Sequence, residues 1–293
     1  MNEILVIGGS NIDYLAKSKN TLIMEDSNIG VLTTSFGGVG RNITENLARL
    51  HDQVTFLTGI GEDVQGQKLK ADLESLYVKV LCPAIAYPSG SYVSIADESG
   101  NMKVAICDSR LMDNMTIGDL EPFFQVIDSH ENIVLEANLN ETVIDAIFDR
   151  FKGHRFYIEG VSANKIRRFR NHVSEIYLFK SNLMEARYFL SSDLDGQKAA
   201  KDLMELGAKN VVLSQGKDPI IYGTAGHVFT QSVVACPNVA SVNGAGDALF
   251  SGIVHGMIHC QSLKESVEFG SKMSLMTLQA ESAVNPDIGR ILK

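Results

Sequence analysis

A single acid stands directly behind three small residues near the end of the chain. Asp247 follows Gly244, Ala245 and Gly246, and an apolar run continues from it. Small residues allow backbone amides to approach a ligand closely, and the unpaired N–H groups at the start of a helix attract an anion such as a phosphoryl group. An acid in this place acts either as a base or as a helix cap. While the stretch stands alone, the cap is the favoured interpretation.

A second glycine-rich stretch precedes a helical pattern. Gly37, Gly38 and Gly40 come just before Arg41 and Asn42. The glycines allow close approach of the backbone to a ligand, and the amide of Asn42 both donates and accepts hydrogen bonds, as a sugar diol requires. A dinucleotide fingerprint is the alternative, but the sequence lacks the G-x-G-x-x-G pattern after its first predicted strand.

Two polar pairs follow predicted strands. Asn11 and Asp13 occupy alternate positions, so they face the same way if the strand continues, and an amide beside a carboxylate can hold vicinal hydroxyls. A turn is the alternative there. Asn182 and Glu185 are spaced i, i+3, which suits either the ordering of Mg²⁺ waters and phosphate oxygens or a helix capping box.

Short apolar runs alternate with helical patterns along the chain. Leucine and isoleucine recur at helical spacing in 41–50 and 68–76. This alternation predicts an α/β fold with a doubly wound, mainly parallel sheet and helices on both faces. The predicted strands are 4–9, 54–61, 133–139, 155–160, 175–182 and 210–216.

Two stretches interrupt the alternation. Segment 14–35 shows no helical pattern, and segment 82–108 contains two strand-like runs around the turn signal 98–101. We expect both to form one small β-sheet lid over a cleft. The predicted large α/β domain then consists of 1–13, 36–81 and 109–293, and the lid of 14–35 and 82–108.

Composition excludes some classes of function. The 293 residues carry a formal net charge of -9 without a dense Lys/Arg run, so nucleic acid is not an expected partner. No apolar stretch approaches the roughly 18 residues of a membrane span. Four isolated cysteines and an N-terminus without a signal-peptide pattern predict a cytoplasmic protein with reduced thiols.

Five motifs occur in an order that defines a resemblance. They are GGSNID at 8–13, GGVGRN at 37–42, NLME at 182–185, LSQG at 213–216 and NGAGD at 243–247. In this order they resemble the ribokinase (PfkB-type) family of carbohydrate and nucleoside kinases over nearly the whole chain, which implies a ribokinase-like fold. Within the family, the pseudouridine kinases are the most similar, through 27–30, 37–50, 90–108, 136–139, 160–165 and 284–289.

The resemblance implies a role for each matched residue. Asp247 is the general base that takes the proton of a nucleoside 5′-hydroxyl as the oxygen attacks the γ-phosphoryl group of ATP, and Gly244, Ala245 and Gly246 form the anion hole. Asn182 and Glu185 organise Mg²⁺, through water, and the phosphates. The substrate side comprises Asn11, Asp13, Gly37, Gly38, Asn42, Asn138 and Lys165; the nucleotide side adds Ser214, Gly216, Asn243 and Asn285.

Two features depart from simple patterns. Ser241 and Val242 stand where many relatives keep an Asp-Thr pair associated with a monovalent cation, so ATP and Mg²⁺ are the expected cofactors and the monovalent cation stays open.

His255 and His259 are spaced i, i+4, as metal ligands on a helix are, but no Glu follows the first His as in H-E-x-x-H. Core or surface histidines are therefore favoured over a zinc site.

Alternative functions remain at this point. The shared motifs also suit a kinase for ribose, adenosine, fructose or another nucleoside, and a nucleoside-binding sensor could keep the fold without catalysis. The intact Asp247, Asn182 and Glu185 argue against the sensor. A nicotinamide oxidoreductase lacks its fingerprint. The free edges of the lid suggest a homodimer.

Overall fold

The computed structural model describes residues 3–292 and contains two β-sheets flanked by helices. The strands are β1 (Glu3–Ile7), β2 (Asn11–Ser18), β3 (Gly30–Gly37), β4 (Gln53–Leu57), β5 (Lys79–Leu81), β6 (Ser91–Ala96), β7 (Met102–Asp108), β8 (Asn132–Glu136), β9 (Arg155–Glu159), β10 (Ile176–Asn182), β11 (Asn210–Gln215), β12 (Asp218–Thr224) and β13 (His227–Gln231).

The large sheet has nine strands in the order β13-β12-β11-β10-β9-β8-β1-β4-β5. From β11 to β5 all neighbours are parallel, while β12 and β13 add an antiparallel edge. The six predicted strands are β1, β4, β8, β9, β10 and β11, so the predicted fold class is confirmed. Strand β5, which has three residues, and the hairpin of β12 and β13 were not predicted.

Helices cover both faces of this sheet. They are α1 (Val39–Arg49), α2 (Val64–Ser75), α3 (Arg110–Asp113), α4 (Ile117–Leu120), α5 (Phe124–Ser129), α6 (Glu141–Arg150), α7 (Leu183–Leu190), α8 (Gly196–Glu205), α9 (Ala245–Ile258) and α10 (Leu263–Leu278). Side chains of β1 alternate between the faces: Leu5 and Ile7 pack in the core with α6 and α8, whereas Ile4 and Val6 pack in the core with α1 and α9.

The small sheet has four strands in the order β3-β2-β6-β7. Strand β2 is antiparallel to β3 and parallel to β6, and β6 is antiparallel to β7. The predicted turn at 98–101 lies between β6 and β7. Asn11, Asp13 and Gly37 belong to the small sheet, because β2 begins at Asn11 and β3 ends at Gly37.

The topology gathers chemistry at one edge of the large sheet. Strands β8, β9 and β10 end at Glu136, Glu159 and Asn182, and parallel strands end at the same edge. The small sheet is joined there, three residues after β1. Among residues 3–292, the helices are all too short or too polar to cross a bilayer.

Candidate active site

Asp247 lies in the first turn of α9 with its side chain directed into the protein. It is 9% exposed, and Asn42 Nδ2 donates a hydrogen bond of 2.9 Å to Asp247 Oδ2. Helix α1 carries Asn42 and packs against α9, so two predicted site residues that are 205 positions apart meet directly. Asp247 accepts from a side chain of another element and does not cap its own helix, whose N-cap is Gly244.

The turn before Asp247 requires glycine at its first position. Gly244 has φ 76°, and a Cβ there would overlap the carbonyl oxygen of Ala283. This conformation begins α9 with the N–H groups of its first turn unpaired within the helix, where an anion is favoured. A Cβ on Gly246 would lie 3.3 Å from Lys180 Nζ, so this ammonium is adjacent to the same turn.

Lys180 and Glu159 form a buried ion pair beside Asp247. The two residues are register partners on β9 and β10, and their side chains are 4% and 6% exposed. Burial alone would lower the pKa of Lys180, but the charge and hydrogen bond of Glu159 raise it above its ordinary value. Lys180 therefore stays an ammonium at the carboxyl edge of the sheet.

The carboxylates in this place are held away from water. Burial and, after it, the negative charge of Glu159 raise the pKa of Asp247 to about 7, against the lowering effects of Asn42 and Lys180. Burial, followed by the charge of Glu159, also raises the pKa of Glu185. The pKa of Asp247 therefore lies near neutral pH, which suits a group that takes up a proton.

Asn182 and Glu185 form the capping box that the sequence left as an alternative. Glu185 N donates 2.8 Å to Asn182 Oδ1, while Asn182 N and Nδ2 donate 2.9 and 2.7 Å to Glu185 Oε2 and Oε1. Capping does not exclude a ligand, because each carboxylate oxygen has a second lone pair.

Three carboxylates, Asp247, Glu159 and Glu185, surround one ammonium, Lys180, so this charge balance and donor set fit a hydrated Mg²⁺.

Asn11 and Asp13 contact each other at the root of the small sheet, which is the end where β2 begins and β3 finishes. Asn11 Nδ2 donates to Asp13 Oδ1, and a Cβ on Gly37 would overlap Asp13 Oδ2. Burial raises the pKa of Asp13, opposed by Asn11 and the positive charge of Arg41. Gly38 has φ 98°, and a Cβ there would lie 2.6 Å from the carbonyl oxygen of Gly9. The glycines thus let α1 begin against the first strand.

Asn138 and Lys165 form a second polar chain. Lys165 Nζ donates 2.6 Å to Asn138 Oδ1, and Asn138 Nδ2 donates 2.6 Å to Glu136 Oε2. Glu136 also accepts from the backbone N–H of Gly9, which follows β1. Burial raises the pKa of Glu136 to about 7, although hydrogen bonds from Gly9 and Asn138 lower it. These hydrogen bonds connect the predicted substrate residues Asn138 and Lys165 to the backbone between β1 and the small sheet.

The remaining predicted residues lie on turns and strand ends. Ser214 is paired in register with Asn182, and Gly216 has φ 64° just after β11. Asn243 N donates 3.1 Å to Ser241 Oγ. Asn285 Nδ2 donates 2.7 Å to the carbonyl oxygen of Met276, and its Oδ1 accepts from Asp287 N at 2.9 Å. These contacts give Asn285 a structural role in the turn after α10.

Three charged residues beside the predicted ones were not expected from the sequence. Glu136 and Glu159 each end an apolar run, and Lys180 is two positions before Asn182 on one strand, so they share a face of the sheet. A charge at the carboxyl end of a predicted parallel strand was the available signal. Which of these charged side chains contact one another could not be predicted, because those contacts depend on the order of β8, β9 and β10 in the sheet.

Comparisons with known proteins place this chain in the class of sugar and nucleoside kinases. Residues 1–288 match the pfkB family carbohydrate kinases. The chain is 31% identical to the pseudouridine kinase of Escherichia coli strain K12 over 291 residues, covering 97% of this chain and 93% of that protein. It is 25% identical to the guanosine-inosine kinase of Exiguobacterium acetylicum over 307 residues, covering 98% of each.

A solved structure agrees on the fold. A ribokinase of Thermotoga maritima superposes with a TM-score of 0.84 over 99% of this chain and 98% of that chain, at 18% identity. The chain belongs to the pfkB family of carbohydrate kinases and has the ribokinase-like fold. As a kinase of this family, it uses ATP with a divalent cation and acts on a sugar or nucleoside.

The charges around Asp247 predict the pH dependence of turnover. We expect kcat/KM for the sugar or nucleoside that accepts the phosphoryl group to rise as pH increases through about 7, because only the ionised Asp247 can take a proton. Glu159→Gln removes a neighbouring negative charge and moves this rise to lower pH. Lys180→Met removes a positive charge and moves it to higher pH. Initial rates, measured at saturating ATP over the pH range in which the protein stays folded, give the pH of this rise in each variant.

Glu205→Gln is the matched control for these substitutions, because Glu205 is exposed at the end of α8 and pairs with Lys201. Its profile should coincide with that of the unsubstituted enzyme. A rise at the same pH in all four proteins would contradict the electrostatic coupling of Asp247 to Glu159 and Lys180.

Proposed function

We propose that the protein transfers the γ-phosphoryl group of ATP to the 5′-hydroxyl of pseudouridine, with Mg²⁺ as its divalent cation. The observation that carries this proposal is the buried Asp247, held by Asn42 at the start of α9, with a pKa raised to about 7. A base in this state and a helix N-terminus in the same turn suit phosphoryl transfer, which needs positioning and charge stabilisation more than covalent help.

Asp247 acts on the proton of the nucleophile. As the 5′-oxygen attacks, its proton passes to Asp247 Oδ, a bond forms between that oxygen and the γ-phosphorus, and the bond from the γ-phosphorus to the bridging oxygen breaks, releasing ADP. Asn42 Nδ2 holds the carboxylate by its other oxygen. Because Asp247 is desolvated, it accepts the proton more readily than an exposed aspartate does.

The charge of the transferred group is met by the turn at 244–246 and by Lys180. The amides of this turn are the proposed anion hole, and Lys180 Nζ lies beside Gly246. Glu159 fixes the position of the ammonium. When bound through water at Asn182 and Glu185, Mg²⁺ would neutralise phosphate charge. The remaining nucleotide contacts are proposed at Ser214, Gly216 and Asn243, with Asn285 shaping the turn beside them.

The choice of pseudouridine rests on similarity, and the ribose contacts rest on geometry. The pseudouridine kinase of Escherichia coli matches nearly the whole chain. Asn11, Asp13 and Asn42 present amide and carboxylate groups at the root of the small sheet, where a ribose diol can be held. Asn138 and Lys165 extend this side of the cleft. We propose that the small sheet closes over the nucleoside as a lid.

A kinase for another nucleoside or sugar is the second candidate. The similarity to a guanosine-inosine kinase over 98% of the chain favours it, and the groups around Asp247 would serve any primary alcohol. A binding protein without catalysis is less well supported, since it gains nothing from the buried pair of Lys180 and Glu159 beside a base. Ser241 and Val242 provide no carboxylate for a monovalent cation, so we assign none.

We also propose that two copies associate through the small sheet. On the face opposite Asp13, register pairs place Val93 beside Ile106 and Ile95 beside Val104, and Leu32 is across Ala16. All five large apolar side chains are between 37% and 70% exposed. Strands β3 and β7 are the edge strands of this sheet among residues 3–292. A second copy presents the same apolar face, and a twofold axis would bury both.

A cytoplasmic location is the final part of the proposal. Cys82, Cys107, Cys236 and Cys260 are all unpaired thiols, and two of them, Cys107 and Cys260, are exposed. Exposed free thiols persist in a reducing compartment.

Phosphorylation assays on a panel of acceptors test the function. We expect pseudouridine to give the highest kcat/KM among pseudouridine, uridine, guanosine, inosine, adenosine, ribose and fructose. The product phosphorus should couple to the two H5′ protons in the NMR spectrum. Asp247→Asn should retain pseudouridine binding and lose turnover by a factor of about 10²–10⁴.

Three other results would overturn parts of this account. A higher kcat/KM for ribose or guanosine would assign the second candidate. Pseudouridine binding without turnover of any acceptor would favour the binding protein. Full turnover by Asp247→Asn would remove the base from Asp247.

Sedimentation of two surface variants tests the dimer. Ile106→Glu places a charge in the apolar face and should give a monomer, because its partner would have to desolvate that charge. Thr33→Glu is the matched control, since Thr33 pairs with Leu15 on the opposite face and is also exposed. Unsubstituted protein that sediments as a monomer, or dissociation by both variants alike, would contradict this interface.

A further inference from the structure

Three metal-ligating side chains converge at the far end of α9. His255 Nδ1 is 2.8 Å from Asp52 Oδ2, and His259 Nε2 is 2.9 Å from Asp52 Oδ1. One ligand atom from each residue falls within 4.8 Å of the others. His255 lies in the last turn of α9 and His259 is its C-cap, so the two are spaced i, i+4, and Asp52 comes from the turn between α1 and β4. The expectation of unrelated core or surface histidines did not anticipate this third residue.

The carboxylate of Asp52 is the reason to expect a cation. Its side chain is 1% exposed, and its two oxygens contact the two imidazoles, which carry a positive charge only when protonated. A buried carboxylate is costly unless a positive charge or several hydrogen bonds accompany it. The C-terminal end of α9 adds the negative end of the helix dipole, which favours a cation further. A divalent ion would neutralise both the carboxylate of Asp52 and the negative end of the helix dipole.

The donor set selects the kind of ion. Two imidazole nitrogens and one carboxylate oxygen suit zinc, whose bonds to such ligands are about 2.0–2.2 Å, whereas Mg²⁺ prefers oxygen donors. To bind, each neutral imidazole moves its proton to the other ring nitrogen and turns its lone pair inward. The side chain of His259 is 40% exposed, so a water can complete a tetrahedral set.

We propose that Asp52, His255 and His259 form a zinc site that clamps the end of α9 to the turn before β4. The site is separate from the reaction centre. His255 follows Asp247 by two turns of α9, which corresponds to about 12 Å along the helix axis. Zinc should therefore stabilise the fold without entering phosphoryl transfer.

Calorimetric titration of metal-free protein with zinc, in excess Mg²⁺ to occupy the active site, tests this proposal. We expect one zinc per chain and a rise in the thermal midpoint of about 5 °C at a hundredfold excess over the dissociation constant. His259→Gln keeps an amide donor near Asp52 but is a poor zinc ligand, so its affinity should fall at least about tenfold. Its turnover in Mg²⁺ should be unchanged.

Two controls separate this site from other zinc ligands. Cys260→Ser removes the thiol next to His259, and His227→Ala removes an exposed histidine on β13; both should bind zinc as the unsubstituted protein does. The absorption spectrum with Co²⁺ in the unsubstituted protein should show four-coordinate bands without sulfur charge transfer, and it needs no variant to fold. Absence of one-to-one binding, undiminished binding by His259→Gln or lost binding by Cys260→Ser would overturn the proposal.

Discussion

The structure depends on the burial of carboxylates at the carboxyl edge of the parallel sheet. Asp247, Glu159 and Glu185 are held there around one ammonium, Lys180, and burial raises the pKa of both Asp247 and Glu185. An excess of desolvated negative charge is unfavourable unless positive charge accompanies it. The same excess favours a divalent cation and makes Asp247 basic enough to take a proton near neutral pH.

The fold produces this arrangement through strand order. Register pairing on β9 and β10 sets Glu159 beside Lys180, and the glycine turn at 244 starts α9 so that Asp247 is directed inward. Packing of α1 against α9 then supplies Asn42 to the carboxylate. A third strand end, Glu136, connects Asn138 and Lys165 with the backbone after β1. The proposed reaction centre and the proposed binding side for the sugar or nucleoside are consequently positioned by one sheet edge.

Much of the fold follows from local sequence patterns, and less of the site does. Apolar runs indicated six of the nine strands of the large sheet, since a buried parallel strand is a continuous apolar segment. Strand β5 was missed because three residues carry no periodic signal. Asp247 and the three small residues before it were predicted from motif order. Glu159 and Lys180 were not, because neither belongs to a motif and their ion pair exists only when β9 and β10 are neighbours. Asp52 was missed for the same reason, since it meets His255 across 203 positions.

The central claim is that burial brings the charge of Asp247 into the neutral pH range. Carbon-13 NMR of protein labelled at aspartate side-chain carboxyl carbons, with Asp247→Asn to assign the resonance, measures this charge directly. The account predicts that the Asp247 signal titrates with a pKa of about 7 in the free enzyme, well apart from exposed aspartates. Titration of that signal at the ordinary value of an exposed aspartate, near 4, would contradict it.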